Sequence, residues 1–187
     1  MTKVTPQAIP DVLLIEPKKF GDERGFFSET YSAKVLAEAG FDLPFIQDNH
    51  SRSPKRGTVR GLHFQAPPFA QDKLLRVTRG AILDVAVDIR KGSPTYGHSV
   101  AAELSAENWR QLLVPKGFAH GFQTLTDDCE VLYKVTDYYA PAAEAGLLWS
   151  DPVLGIGWPA EIEAVINARD AAWPALADFD SPFTYEG

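Results

Sequence analysis

Apolar and polar residues alternate along this chain in short stretches, with a period of two and turn residues closing each stretch. Val12–Ile15 reads as a first strand closed by Pro17, and Phe26–Thr30 as a second after the turn Gly21-Asp22-Glu23. Further strands are expected near 44–50, 58–65, 73–79, 81–89, 98–104, 110–114, 118–125 and 129–138. In Leu83-Asp84-Val85-Ala86-Val87-Asp88-Ile89 the odd positions are apolar and two even ones acidic, which predicts one buried face. One helix is expected from Ser32 to Ala39: Ser32 can cap it, Val35 and Leu36 give an apolar stripe, and Gly40 ends it. After about residue 150 the chain turns Pro- and Trp-rich, with a short helical stretch predicted near 160–166 in a segment that wraps the rest. Many short strands with regular turn signals, and no repeat or long linker, predict an all-β barrel or sandwich forming one domain over 1–187.

Composition narrows the setting. A chain of 187 residues is long enough for one well-filled core, and its apolar runs are far too short for a membrane helix. The first residues, Met1-Thr2-Lys3-Val4-Thr5-Pro6, carry no apolar signal region. A single cysteine, Cys129, excludes an internal disulfide, so a cytoplasmic protein is expected. With a net charge of −7 and no basic stripe, neither nucleic acid nor a membrane surface is an expected partner. An anionic small molecule stays possible where a few arginines gather locally.

The chain has four histidines, and two of them sit in strand-like runs: Val59-Arg60-Gly61-Leu62-His63-Phe64-Gln65 and Pro115-Lys116-Gly117-Phe118-Ala119-His120-Gly121-Phe122. The second run fits the P-x-G-x-x-H signature of a cupin barrel. The first stands where such barrels carry His-x-His metal ligands, yet it reads His63-x-Gln65, and Lys73 follows where a carboxylate ligand is usual. A cation beside two imidazoles opposes a divalent ion, so a site without metal or other cofactor is expected, one that works by acid–base chemistry. His63 is the candidate base. Gly61 beside it signals a bulge or a close backbone approach. Strict alternation puts Arg60 and His63 on opposite faces, so either Gly61 permits a bulge or Arg60 serves another part of the ligand. Tyr133 shares a face with Val131 and Val135, as core filler or as a proton donor. Lys73, if inward with Leu75 and Val77, can stabilise an oxyanion. The guanidinium forks of Arg24 and Arg60 match phosphate oxygens. Asp127-Asp128 reads as a solvated turn. The chain contains neither a Gly-rich phosphate loop nor a Ser-His-Asp elbow.

Six blocks occur in a specific order: Gly21–Phe27, Gln47–Ser51, Arg60–Gln65, Pro115–Phe122, Tyr133–Tyr139 and Ser150–Pro152. Together they resemble the deoxythymidine-diphosphate-4-dehydrorhamnose 3,5-epimerase family, from about residue 12 to about residue 176. Asn167 and Arg169 stand where the family commonly has serine and lysine. The resemblance implies a double-stranded β-helix (cupin) with a few short helices, a homodimer, no metal, and a dTDP-sugar substrate. The substrate implied is dTDP-4-dehydro-6-deoxy-D-glucose and the product dTDP-4-dehydro-L-rhamnose. By the same resemblance His63 is the base oriented by Asp170, Tyr133 the acid, and Lys73 the enolate stabiliser. Arg24, Arg60 and Arg169 become sugar-nucleotide anchors, with Phe27, Glu29, Gln47 and Asn49 near the nucleotide. His120, Tyr139 and Glu144 join the substrate-binding set. Epimerisation at C3 alone, or sugar-nucleotide binding without turnover, fits the same residues and stays open at this stage.

Overall fold

The alternating stretches pair into two antiparallel sheets that face each other across one core. The computed structural model describes residues 2–187. Its strands are β1 (Lys3–Pro6), β2 (Leu13–Glu16), β3 (Lys19–Asp22), β4 (Gly25–Ser28), β5 (Gln47–Ser53), β6 (Val59–Gln65) and β7 (Lys73–Arg79), followed by β8 (Ala81–Asp88), β9 (Ser99–Ser105), β10 (Gln111–Val114), β11 (Phe118–Thr124), β12 (Cys129–Val135) and β13 (Glu144–Gly146). One sheet runs β1-β2-β10-β7-β12-β5 and the other β13-β6-β11-β8-β9, while β3 and β4 form a separate hairpin. Neighbours drawn from distant parts of the chain make this a cupin-type jelly roll, as expected. Among the described residues no helix is long and apolar enough to cross a membrane.

The main core lies between the sheets, built from Leu75, Val77, Ile82, Leu104, Leu112, Phe122 and Val131 among others. A second cluster sits outside β6, β8 and β11, where Leu62, Val85, Val87 and Ala119 meet Leu147, Leu154 and Phe183 of the C-terminal wrap. Each such buried aliphatic side chain contributes about 2 kcal/mol. Helix α1 (Ala33–Glu38) covers the outer face of the first sheet through Leu36, capped by Ser32 as predicted.

Several expectations need correction. The strand predicted at 44–50 begins later, at Gln47, because Leu43 and Phe45 pack against α1 instead. Strands β1 and β3 lacked a clear apolar alternation and were not expected. The acidic positions of β8 are not a solvated face. Asp84 and Asp88 are fully buried, the odd face being covered by the C-terminal wrap, so both sides of this strand are interior. Asp88 is held there by Arg90, Ser93 and Thr95. The stretch 160–166 is not helical: it turns at 160–162 and lays Val165 beside Thr58, exchanging backbone bonds with Gly57 and Val59. Those two bonds satisfy the backbone without a helix. Asp127 and Asp128 do form a turn, though Asp128 is tied to Arg52 and Arg79.

Strand β6 carries the feature on which the site depends. His120 pairs with His63 and Phe122 with Arg60, so three residues of β6 span the distance covered by two of β11. That is a bulge, with Gly61 at φ +120°. A Cβ on Gly61 would lie 2.7 Å from both Gly121 Cα and the His120 carbonyl oxygen. Gly121 is equally confined, by the Arg60 carbonyl oxygen at 2.7 Å. Gly61→Ala is expected to destabilise the fold by about 3 kcal/mol in urea unfolding, from the strained φ and the backbone clash together. An unchanged midpoint would show that the two strands can part without cost.

Candidate active site

The bulge settles the alternative left by strict alternation: Arg60 and His63 both line one cavity of about 510 Å³. Every residue assigned to the site above lines it except Arg24, Phe27 and Glu29. Those three lie elsewhere. Arg24 caps the exposed β3–β4 hairpin and pairs with Asp22, Phe27 is 70% exposed on the same hairpin, and Glu29 borders a groove on the outer face of the first sheet.

His63 and Asp170, far apart in sequence, meet directly. His63 Nε2 lies 2.8 Å from Asp170 Oδ1. The aspartate is 1% exposed, and its Oδ2 accepts the Gly61 backbone N–H at 3.1 Å. Asn167 Oδ1 accepts the Asp170 backbone N–H at 2.7 Å, which fixes the start of the short helical turn Asp170–Ala172. Trp173 packs edge-on against the His63 ring. With Nε2 engaged, Nδ1 is the nitrogen left to take a proton. Burial draws the His63 pKa below the ordinary histidine value, and the Asp170 hydrogen bond and charge only partly reverse this. The ring is therefore neutral near pH 7.

Lys73 enters from β7 in the opposite sheet. Burial pulls its pKa down to about 8, against the charges of Asp84 and Glu144, which hold the proton on. Tyr133 comes from β12, where it sits opposite Asn49 of β5. Burial raises the Tyr133 pKa above the usual phenol value, so it keeps its proton at neutral pH. At the mouth, Glu144 accepts both arms of the Arg169 guanidinium at 2.9 Å and the Tyr139 hydroxyl at 2.7 Å. Burial pushes the Glu144 carboxyl up, but these hydrogen bonds outweigh it and leave the group below the usual range. Gln47 donates to Asn49 at 2.9 Å, and Arg60 to Ser53 at 3.2 Å. His120 is bonded to the buried Asp84.

Gln65, Gln71 and Trp173 were not predicted as parts of the site. Gln65 donates to the carbonyl oxygens of Phe69 and Tyr138 and accepts from the Ala140 N–H, which pins the segment bearing Tyr139. Gln71 ties down the same segment through Asp137. The His63-x-Gln65 spacing hinted at the first. No sequence signal marked Trp173. Among the described residues, no group of three His, Cys, Asp or Glu side chains is arranged to hold a metal.

A neutral histidine backed by a buried aspartate, a protonated tyrosine and a half-buried ammonium around one cavity can move protons at carbons next to a carbonyl. A jelly roll with this set is an acid–base isomerase of the epimerase class. Comparison with known proteins agrees. The family model described as dTDP-4-dehydrorhamnose 3,5-epimerase matches residues 6–178. A protein of that name from Salmonella typhimurium is 54% identical over 94% of this chain and 96% of its own length. The crystal structure of a dTDP-6-deoxy-D-glucose-3,5-epimerase from Legionella pneumophila, in complex with dTDP-4-keto-L-rhamnose, is 44% identical. It superposes with a TM-score of 0.95 over 100% of both chains. The chain belongs to the dTDP-4-dehydrorhamnose 3,5-epimerase family.

The two titrating groups set an expected pH profile. If His63 is the base it works only when neutral, and kcat/KM falls as pH drops through its lowered pKa, below the ordinary histidine value. If Lys73 stabilises an oxyanion it does so only as the ammonium, and kcat/KM falls again as pH rises through about 8. A steady-state profile should be bell-shaped with an alkaline limb near 8. A limb near the ordinary lysine value would remove Lys73 from the role.

Proposed function

We propose that the protein epimerises C3 and C5 of dTDP-4-dehydro-6-deoxy-D-glucose to give dTDP-4-dehydro-L-rhamnose. The observation that carries this reading is the His63–Asp170 pair facing Tyr133 and Lys73 across one cavity. The C4 ketone of the sugar acidifies the hydrogens on both flanking carbons. Neutral His63 removes one of them, and the electron pair moves onto the C4 oxygen as an enolate. The Lys73 ammonium faces that oxygen and stabilises its developing charge, an effect worth on the order of 3 kcal/mol per well-placed donor. Tyr133 returns a proton from the other side of the ring, and solvent resets both groups. The same three groups serve the second centre, since both carbons share one carbonyl. The net change is an isomerisation, with no redox partner required.

Arg60 and Arg169 supply positive charge for the diphosphate, while Gln47, Asn49 and Tyr139 line the same cavity. The buried, hydrogen-bonded Cys129 suits a reducing, cytoplasmic setting.

A homodimer accounts for two of the three residues that stand apart from the cavity. The β3–β4 hairpin presents Phe20, Phe26 and Phe27 to solvent, each more than half exposed, beside Arg24 at its tip. A single hairpin with that much apolar surface suits a neighbour's surface better than water. Seated on a second copy, it carries Arg24 and Phe27 toward the partner's cavity. Analytical ultracentrifugation should then give twice the 20.6 kDa chain mass. Arg24→Ala should raise KM while leaving that mass unchanged, and a fully active monomer would overturn the arrangement.

The reaction itself is tested by incubating protein and substrate in heavy water and locating deuterium by NMR. Label at both C3 and C5 is expected. Label at C3 alone would make the protein a one-centre epimerase, and no label would leave it a binding protein.

A further inference from the structure

Asp84 takes no part in the chemistry above, yet it occupies an unusual place. It lies on the inward side of β8 in line with Ile82 and Ala86, and none of it is exposed. Its Oδ1 is 2.7 Å from His120 Nε2. Its Oδ2 is buried too and has no hydrogen-bond donor among the described residues. A half-bonded carboxylate inside an apolar barrel is strongly unfavourable unless a nearby cation balances it.

Lys73, which lines the same cavity as the Asp84-bound His120, is the cation whose proton the Asp84 charge favours. The titratable and charged groups that line the cavity with it are Arg60 and His63 from β6, His120 from β11, Tyr133 from β12, Glu144 from β13, and Tyr139, Arg169 and Asp170 at the edges, with Asp84 of β8 behind His120. Only the carboxylates favour its proton, and Glu144 is already shared between Arg169 and Tyr139. Asp170 is engaged by His63 and the Gly61 amide. Asp84 alone keeps an oxygen uncommitted. His120 is the register partner of His63, so two histidine–aspartate pairs stand side by side on β6 and β11. Only the first of them has work in the proton transfers. The Asp84 carboxylate holds His120 through Nε2 where the ring lines the cavity.

We propose that Asp84 is a positioning residue for this reaction: its buried carboxylate fixes the His120 ring and keeps Lys73 an ammonium while the enolate forms. The proposal rests on the epimerase reading and adds a group that touches no reacting atom.

Asp84→Asn tests it. The amide has nearly the same shape, and its oxygen can still accept from His120, so charge is the main loss. The alkaline limb of the kcat/KM profile should move from near 8 to lower pH by about one unit or more. KM should stay close to wild type, and activity should recover as pH is lowered toward the acid limb. A folded variant whose limb does not move overturns the proposal. A uniform loss at every pH also overturns it, since that marks a merely structural role. A wild-type protein that places no label in the sugar sinks the epimerase reading instead, so the two failures are distinct. Should Asp84→Asn not fold, carbon-13 NMR of the wild type decides. Asp84 must keep the chemical shift of a carboxylate over the range in which the Lys73 ε-carbon titrates. A protonated Asp84 carboxyl in that range overturns the proposal.

Discussion

Two glycines hold the active cavity together by letting two strands approach more closely than any side chain would allow. Gly61 of β6 faces Gly121 of β11, and a Cβ on either would lie 2.7 Å from backbone of the other strand. The extra residue in β6 turns Arg60 onto the same side as His63 and aims the Gly61 N–H at Asp170. That amide and the imidazole are the two donors which make a fully buried aspartate tolerable. Backbone geometry, the orientation of His63 and the entry of Arg60 into the cavity are therefore one constraint. The C-terminal wrap completes it, since Asn167 fixes Asp170 and Trp173 closes over the His63 ring.

Inside this frame the charges are arranged in matched sets. Asp170 serves His63, Glu144 serves Arg169 and Tyr139, and Asp84 serves His120. Burial acts on all of the working groups and moves each toward its neutral form. For His63 that direction favours a free base, and for Tyr133 a retained proton. For Lys73 the same pressure works against the role proposed for it, because an enolate is stabilised by the ammonium. The lysine is the one member of the set whose protonation must be defended, and its carboxylate neighbours supply that defence.

The barrel was legible because alternation and turn residues report directly on which side of a strand is buried. It misled where both sides are buried, as in β8, since acidic residues at Asp84 and Asp88 mimic a solvated face. Similarly, the apolar spacing near 160–166 resembles a helix but serves a turn and a bridge to Thr58. His63, His120 and Lys73 could be picked out from strand patterns and motif spacing alone. Asp170 could not, because nothing local connects it to His63, and only the resemblance to a known family brought the two together. Arg24, Phe27 and Glu29 show the converse difficulty: a family pattern names them, and a single chain does not bring them to its own cavity.

The difference between this site and a metal-binding barrel comes down to two side chains. At the position two residues after His63, a ligand would need a lone pair aimed inward. Gln65 instead spends its donor on the carbonyls of Phe69 and Tyr138 and its acceptor on the Ala140 N–H. Its hydrogen bonds latch the lip that carries Tyr139, so the residue helps to shape the mouth of the cavity. At the next inward position Lys73 brings a positive charge where a divalent ion would need a negative one. In the proposed mechanism, electrophilic help for the ketone oxygen comes from the protein's own ammonium. On that mechanism activity depends on the protonation of one half-buried lysine, which gives the acid residues of β8 and β13 a reason to lie inside an otherwise apolar barrel.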